Sequence, residues 1–238
     1  MMGSDMDEVA LKKTGRRQTA RRRWVAHCSA LALAASLALP AGAQSTARAD
    51  SAARKLVLVL GDSLSAEYGL ARGSGWVALL DARITQKKLA ASVVNASISG
   101  DTTAGGRSRL PQLLRLHRPA VVVLELGGND ALRGLPLDTT RDNLAQMARS
   151  AKATGAKVLV LGMQVPPNYG RQYSDRFFEV FGSVAKAEGT ALVPFMLKGV
   201  ADGPKADEMF QPDRIHPKAS AHPLILDNVW PALEPLLH

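Results

Sequence analysis

The sequence runs to 238 residues, 46% of them hydrophobic, enough for a sizeable core and too apolar for a disordered chain. Thirty basic residues stand against 21 acidic ones, a formal charge of +9. Beyond the first 43 residues the cations are scattered singly, which gives nucleic-acid binding little support, and the lone Cys28 excludes a disulfide framework.

The first stretch carries Lys12, Lys13, Arg16, Arg17, Arg21, Arg22 and Arg23, then an apolar run over 29–39, then Pro40-Ala41-Gly42-Ala43. This order of basic, apolar and small residues predicts a secretory signal, residues 1–43, removed after Ala43. The apolar run is much shorter than the ~20 residues a spanning helix needs, so no stable membrane insertion is expected after signal removal. Arg21-Arg22-Arg23-Trp24-Val25 also loosely fits a twin-arginine signal, which leaves the export route open. The remaining 44–238 is expected to be one domain in the periplasm or outside the cell. It keeps 23 basic and 18 acidic residues, a formal charge of about +5.

After a polar, Ala-rich lead, apolar runs that read as strands recur at 56–60, 92–95, 120–126, 157–162 and 191–193. Helical spacing fills the gaps: Trp76, Leu79, Leu80, Arg83 and Ile84; Leu110, Leu113, Leu114 and His117; then 138–153, 173–188 and a last helix over 221–237 disturbed by Pro231 and Pro235. Pro111 and Pro136 are placed near helix starts or loops, and Gly155 and Gly189 at helix ends. Val121, Val122, Val123 and Leu124 are apolar on both faces, as a central parallel strand requires. The prediction is an α/β protein: a three-layer α/β/α sandwich with a five-stranded parallel sheet.

Four segments carry candidate chemistry, each at an expected strand end or in a late loop. Gly61-Asp62-Ser63-Leu64-Ser65 follows the first strand and places a hydroxyl where a helix-leading turn is expected, with the helix N-terminus adding N–H donors. Asp62 is read as holding that turn through backbone N–H groups rather than as a base. Ser99-Gly100-Asp101 offers a backbone N–H at a glycine that permits close approach. Gly127-Gly128-Asn129-Asp130 offers a carboxamide donor, and Asp213-Arg214-Ile215-His216-Pro217 a carboxylate and an imidazole in one loop. Taken singly, the first three are also good turn chemistry, and the last also reads as a helix cap beside a surface histidine. His117 and His222 are read as structural histidines. No cluster has metal-ligand spacing, and no metal or cofactor is expected.

Together these segments resemble the SGNH, or GDSL, hydrolases, and within them the bacterial periplasmic thioesterase I, lysophospholipase and arylesterase group. The likeness rests on Leu60-Gly61-Asp62-Ser63-Leu64-Ser65-Ala66, Val93-Val94-Asn95-Ala96-Ser97-Ile98-Ser99-Gly100-Asp101-Thr102, Glu125-Leu126-Gly127-Gly128-Asn129-Asp130, Pro167-Asn168-Tyr169-Gly170 and Asp213 to Pro217, and it spans nearly all of the exported part. The resemblance implies a flavodoxin-like fold without a metal, Ser63 as nucleophile, and Asp213 and His216 completing a triad. It also implies an oxyanion hole from the Ser63 and Gly100 N–H groups and the Asn129 side chain. The expected substrate is a small-molecule or lipid ester: arylesters, acyl-CoA-like thioesters or lysophospholipids. Asp130, Leu132, Leu135, Val165 and Pro166, in two loops, are the candidate substrate contacts.

Three positions depart from the group. Glu67 is expected near the cleft, where it would disfavour anionic head groups; Ala131 follows Asp130, and Arg214 separates the triad residues. Ser65 stands where a Gly-x-Ser-x-Gly elbow would have its second glycine, which argues against an ordinary α/β-hydrolase lipase. A carbohydrate or peptidoglycan O-acetylesterase would use the same residues, and a non-catalytic binding module would use the same scaffold. Nothing in the sequence demands more than a monomer.

Overall fold

The computed structural model describes residues 54–165 and 167–238; the expected signal at 1–43 and Pro166 lie outside them. Five apolar runs pair in parallel: β1 (Lys55–Gly61), β2 (Ala91–Asn95), β3 (Val121–Glu125), β4 (Lys157–Leu161) and β5 (Ala191–Val193), in the order β2-β1-β3-β4-β5. Each lies within a residue of its sequence prediction at both ends. Val57 to Leu60 and Val121 to Leu124 are fully buried on both faces of the sheet, each large side chain contributing roughly 1.5–3 kcal/mol.

Two groups of helices cover the sheet and give three layers. In the first, α1 (Trp76–Gln86) packs on α7 (His222–Leu233); in the second, α2 (Thr103–His117), α4 (Leu137–Ala153) and α5 (Arg171–Glu188) pack in series. Two single turns, α3 (Gly128–Leu132) and α6 (Ala206–Met209), lie in the loops. Pro136 caps α4, Gly189 ends α5 in a left-handed conformation, and α7 tightens into a 3₁₀ turn at Glu234–Leu237, as the prolines suggested.

One expectation is corrected. Pro111 does not start a helix but sits inside α2, which begins at Thr103, where the Thr102 side chain accepts from the Gly105 N–H. The Gly105-Gly106 pair hides this start from a propensity reading. Gly106 is nevertheless required, because a Cβ there would lie 2.2 Å from the Leu126 side chain.

The strand order reverses at β1, which has β2 on one side and β3 on the other. In open α/β sheets this switch point opens a crevice at the carboxyl ends of the strands. The residues after β1, β2 and β3 therefore converge there.

His222, at the start of α7, is buried at 1% exposure and accepts the Trp76 N–H through Nδ1 at 2.9 Å, so it bridges the starts of α1 and α7. Burial pushes its pKa below the ordinary 6.5. The unfolded chain thus takes up this proton first, and the contribution of His222 to stability is complete above about pH 6.5 and lost as the pH falls below it. We expect the melting temperature of the wild type to drop further between pH 7 and pH 5 than that of His222→Gln, as measured by thermal denaturation in matched buffers; parallel curves would contradict it.

Candidate active site

β1 delivers Ser63 through a turn locked from below. In parallel register Gly61 faces Glu125, and a Cβ on Gly61 would meet Glu125 Oε2 at 2.6 Å and Ser65 Oγ at 2.8 Å. The fully buried Glu125 accepts from the Asp62 N–H at 3.1 Å and from the Ser65 hydroxyl at 2.6 Å, and Ser65 in turn accepts from the Trp76 indole at 3.2 Å. Burial, reinforced by the neighbouring Asp62, drives the Glu125 carboxyl well above the usual carboxylate range. Asp62 closes the turn as expected, accepting the Leu64 N–H through Oδ1 at 3.0 Å.

A turn runs on from Ser63 to the expected helix, α1, which starts at Trp76. Glu67 holds this stretch together. It adopts a left-handed φ of 60°, and its carboxylate accepts from the Gly73 and Gly75 N–H groups at 2.8–3.1 Å. Glu67 thus staples the loop before α1 and does not serve as a charge facing substrate.

The imidazole comes from a hairpin over 209–218, in which the Gln211 N–H donates to the His216 carbonyl at 2.8 Å and the Lys218 N–H to that of Met209 at 2.7 Å. Asp213 Oδ1 accepts the Ile215 and His216 N–H groups at 2.9 and 3.0 Å, and Oδ2 lies 2.7 Å from His216 Nδ1. Desolvation pushes the Asp213 carboxyl up, but these hydrogen bonds outweigh it and hold the pKa at about 2. The ionised carboxylate selects the tautomer with hydrogen on Nδ1, which leaves Nε2 to accept from the Ser63 hydroxyl 2.8 Å away. A hydroxyl so held can lose its proton to the ring as it attacks a carbonyl carbon.

Three loops near the end of the sheet carry N–H groups that could donate to such an oxyanion. Among the described residues neither the Ser63 nor the Gly100 N–H has a protein acceptor. Gly100 takes a φ of 79°, disfavoured for other residues, and its carbonyl accepts from Arg133 at 2.9 Å. Arg109 anchors the same loop by pairing with Asp101 at 2.8 Å and donating to the Ala96 and Gly61 carbonyls. The Asn129 amide donates to Asp62 Oδ2 and to the Asp101 carbonyl, both at 3.0 Å, so both of its hydrogens are engaged before a substrate arrives. Desolvation raises the Asp62 pKa to about 6, against the opposing influence of the Leu64 N–H, His216 and Asn129.

With this geometry in view, the chain matches the GDSL-like lipase/acylhydrolase family over residues 59–224. The chain belongs to that family. It is a serine hydrolase acting on ester bonds. The esterase TesA of Pseudomonas aeruginosa is 55% identical over 186 residues, which cover 78% of this chain and 91% of that protein. The thioesterase 1/protease 1/lysophospholipase L1 of Escherichia coli K12 is 42% identical over 188 residues, 79% of this chain and 88% of that one. A crystal structure of TesA superposes with a TM-score of 0.74 at 54% identity, over 76% of this chain and 99% of that one.

In this GDSL hydrolase a cavity of about 580 Å³ is lined by Leu64, Leu132, Val165, Phe195, Phe210 and Ile215 among others, so the chain neighbours of Ser63 and His216 form part of its wall. Leu132 and Val165 are where the sequence placed substrate contacts. Asp130, also expected to contact substrate, does not line the cavity: it points inward, 1% exposed, accepting from the Thr103 hydroxyl and N–H at 2.5 and 2.8 Å, because α3 turns it toward the start of α2. Leu135 is exposed and lies outside the cavity wall. Arg214, at a left-handed φ of 57°, borders the cavity. Sequence reasoning missed Glu125, whose signal was an acid ending an otherwise apolar central strand, and it missed Phe195 and Phe210, which carried no signal. Among the described residues no helix is long and apolar enough to cross a membrane.

Proposed function

We propose that the protein hydrolyses carboxylic esters and acyl thioesters through an acyl-enzyme on Ser63, with His216 as general base, Asp213 as its orienting partner, and Ser63, Gly100 and Asn129 as oxyanion donors. The observation that carries this reading is the unbroken chain Asp213 Oδ2, His216 Nδ1, His216 Nε2, Ser63 Oγ, with contacts of 2.7 and 2.8 Å. In the first step Ser63 Oγ bonds to the acyl carbon, His216 takes the hydroxyl proton, and the proton passes to the departing alcohol or thiol. In the second, water loses a proton to the same ring and attacks the acyl carbon, and the ring returns that proton to Ser63 Oγ as the acid departs.

The cavity favours a medium or longer acyl chain over acetate, since an acetyl group would leave most of its apolar wall unfilled. Arylesters, acyl-CoA-like thioesters and lysophospholipids suit this reading. An O-acetylesterase would show its optimum at acetate. We further propose export with removal of residues 1–43, supported by the order of basic, apolar and small residues in that segment.

The test is treatment with a fluorophosphonate followed by peptide mass spectrometry, together with a p-nitrophenyl ester series from acetate upward. We expect one adduct, on Ser63, and a kcat/KM optimum beyond acetate. An adduct elsewhere would sink the nucleophile assignment, none at all would favour a binding module, and an acetate optimum would favour the deacetylase.

A further inference from the structure

The Tyr68 ring has no part in the steps above, yet it lies against the His216 imidazole, with centroids 4.3 Å apart and planes tilted by 38°. Tyr68 is 51% exposed, so burial of apolar surface does not account for a large aromatic group at this point. Its backbone ties together the two halves of the site. The Tyr68 N–H donates to the Ser63 carbonyl at 3.3 Å, which makes Tyr68 part of the turn that carries the hydroxyl. The Tyr68 carbonyl accepts from Gln211 Nε2 at 2.9 Å, and the same nitrogen donates to the Pro217 carbonyl at 3.2 Å. Gln211 therefore clamps the Ser63 turn to the hairpin that carries His216, and the phenol ring fills the space where the two meet. Among the described residues the phenol oxygen has no hydrogen-bond partner, so the ring face and not the hydroxyl makes the contact.

We propose that Tyr68 is a positioning residue for the general base: its ring fixes the plane of the imidazole so that Nε2 meets Ser63 Oγ and Nδ1 keeps its hydrogen bond to Asp213. The inference rests on the proposed roles of Ser63 and His216. His216 is neutral while substrate waits and cationic once it has taken the Ser63 proton. The negative face of an aromatic ring attracts the cation more than the neutral ring. An interaction that grows toward the transition state acts on kcat and leaves KM alone.

The experiment compares Tyr68→Leu, Tyr68→Phe and Ser63→Ala with the wild type in three readouts: p-nitrophenyl ester kinetics, the rate of fluorophosphonate labelling, and the far-downfield imidazole N–H resonance in proton NMR. Thermal denaturation of each variant checks the fold. For Tyr68→Leu we expect kcat and the labelling rate to fall about 10-fold with KM within about twofold, and the downfield resonance to broaden through exchange with water. Tyr68→Phe keeps the ring face and should retain all three. Wild-type kcat with an unchanged resonance in Tyr68→Leu, or failure of Tyr68→Phe to restore activity, would overturn the inference. Retained hydrolysis in Ser63→Ala would overturn the reading of the site itself, whereas an inert Ser63→Ala beside a fully active Tyr68→Leu would refute the role of Tyr68 alone.

Discussion

Ser63→Ala is expected to lower kcat for p-nitrophenyl esters by at least about 10⁴-fold, because among the described residues Ser63 carries the one hydroxyl hydrogen-bonded to His216 Nε2, and without it the acyl-enzyme cannot form. The residual rate would come from the oxyanion donors acting on bound ester and water. The fold should persist. Ser63 is half-buried, its hydroxyl donates only to an imidazole at the cleft edge, and the turn is held from beneath by Glu125, Ser65 and Trp76, which the substitution leaves in place. Steady-state kinetics beside thermal denaturation separate the two effects. A variant that kept its melting temperature and more than about a hundredth of the wild-type rate would move the nucleophile elsewhere.

Asn129→Ala is expected to lower kcat by about 10²–10³-fold with little change in KM, because an amide hydrogen turned from Asp62 or Asp101 to the carbonyl oxygen would bind it more strongly as charge develops there. This variant should also be measurably less stable, unlike Ser63→Ala. Asp62 Oδ2 and the Asp101 carbonyl both lose a donor, and an acceptor left unpaired in a largely buried setting costs about 1–3 kcal/mol. Asn129→Asp should be worse still, since it sets a second carboxylate beside Asp62, whose charge burial already disfavours. Kinetics and denaturation of the pair test the double role; an Asn129→Ala protein with full stability would show that the two engaged hydrogens are incidental.

What the sequence revealed follows from which forces act locally. The strands were readable because central parallel strands must be apolar on both faces, as in Val121 to Leu124. The site segments were readable because each follows such a strand or forms a short self-bonded loop, as Asp213 and His216 do. The start of α2 was hidden because Gly105 and Gly106 are poor helix formers; a Cβ on Gly105 would meet the Asp101 carboxylate and one on Gly106 the Leu126 side chain. Asp130 was misassigned because a motif does not tell which way a one-turn helix will aim its carboxylate. Glu67 likewise looked like a cleft charge when its partners, Gly73 and Gly75, lay in a loop of undetermined path. The clamp of Gln211 on Tyr68 joins residues 143 positions apart, and no local pattern encodes it.

The hairpin bearing the imidazole stands at the molecular edge, with the Asp213 side chain 38% and Ile215 42% exposed. The covalent intermediate would therefore face bulk solvent with little to select the molecule that resolves it. Dissolved short alcohols or glycerol would then intercept the acyl group in competition with hydrolysis, and the enzyme would act as a transacylase in mixed solvents, its product ratio following the concentration of each acceptor.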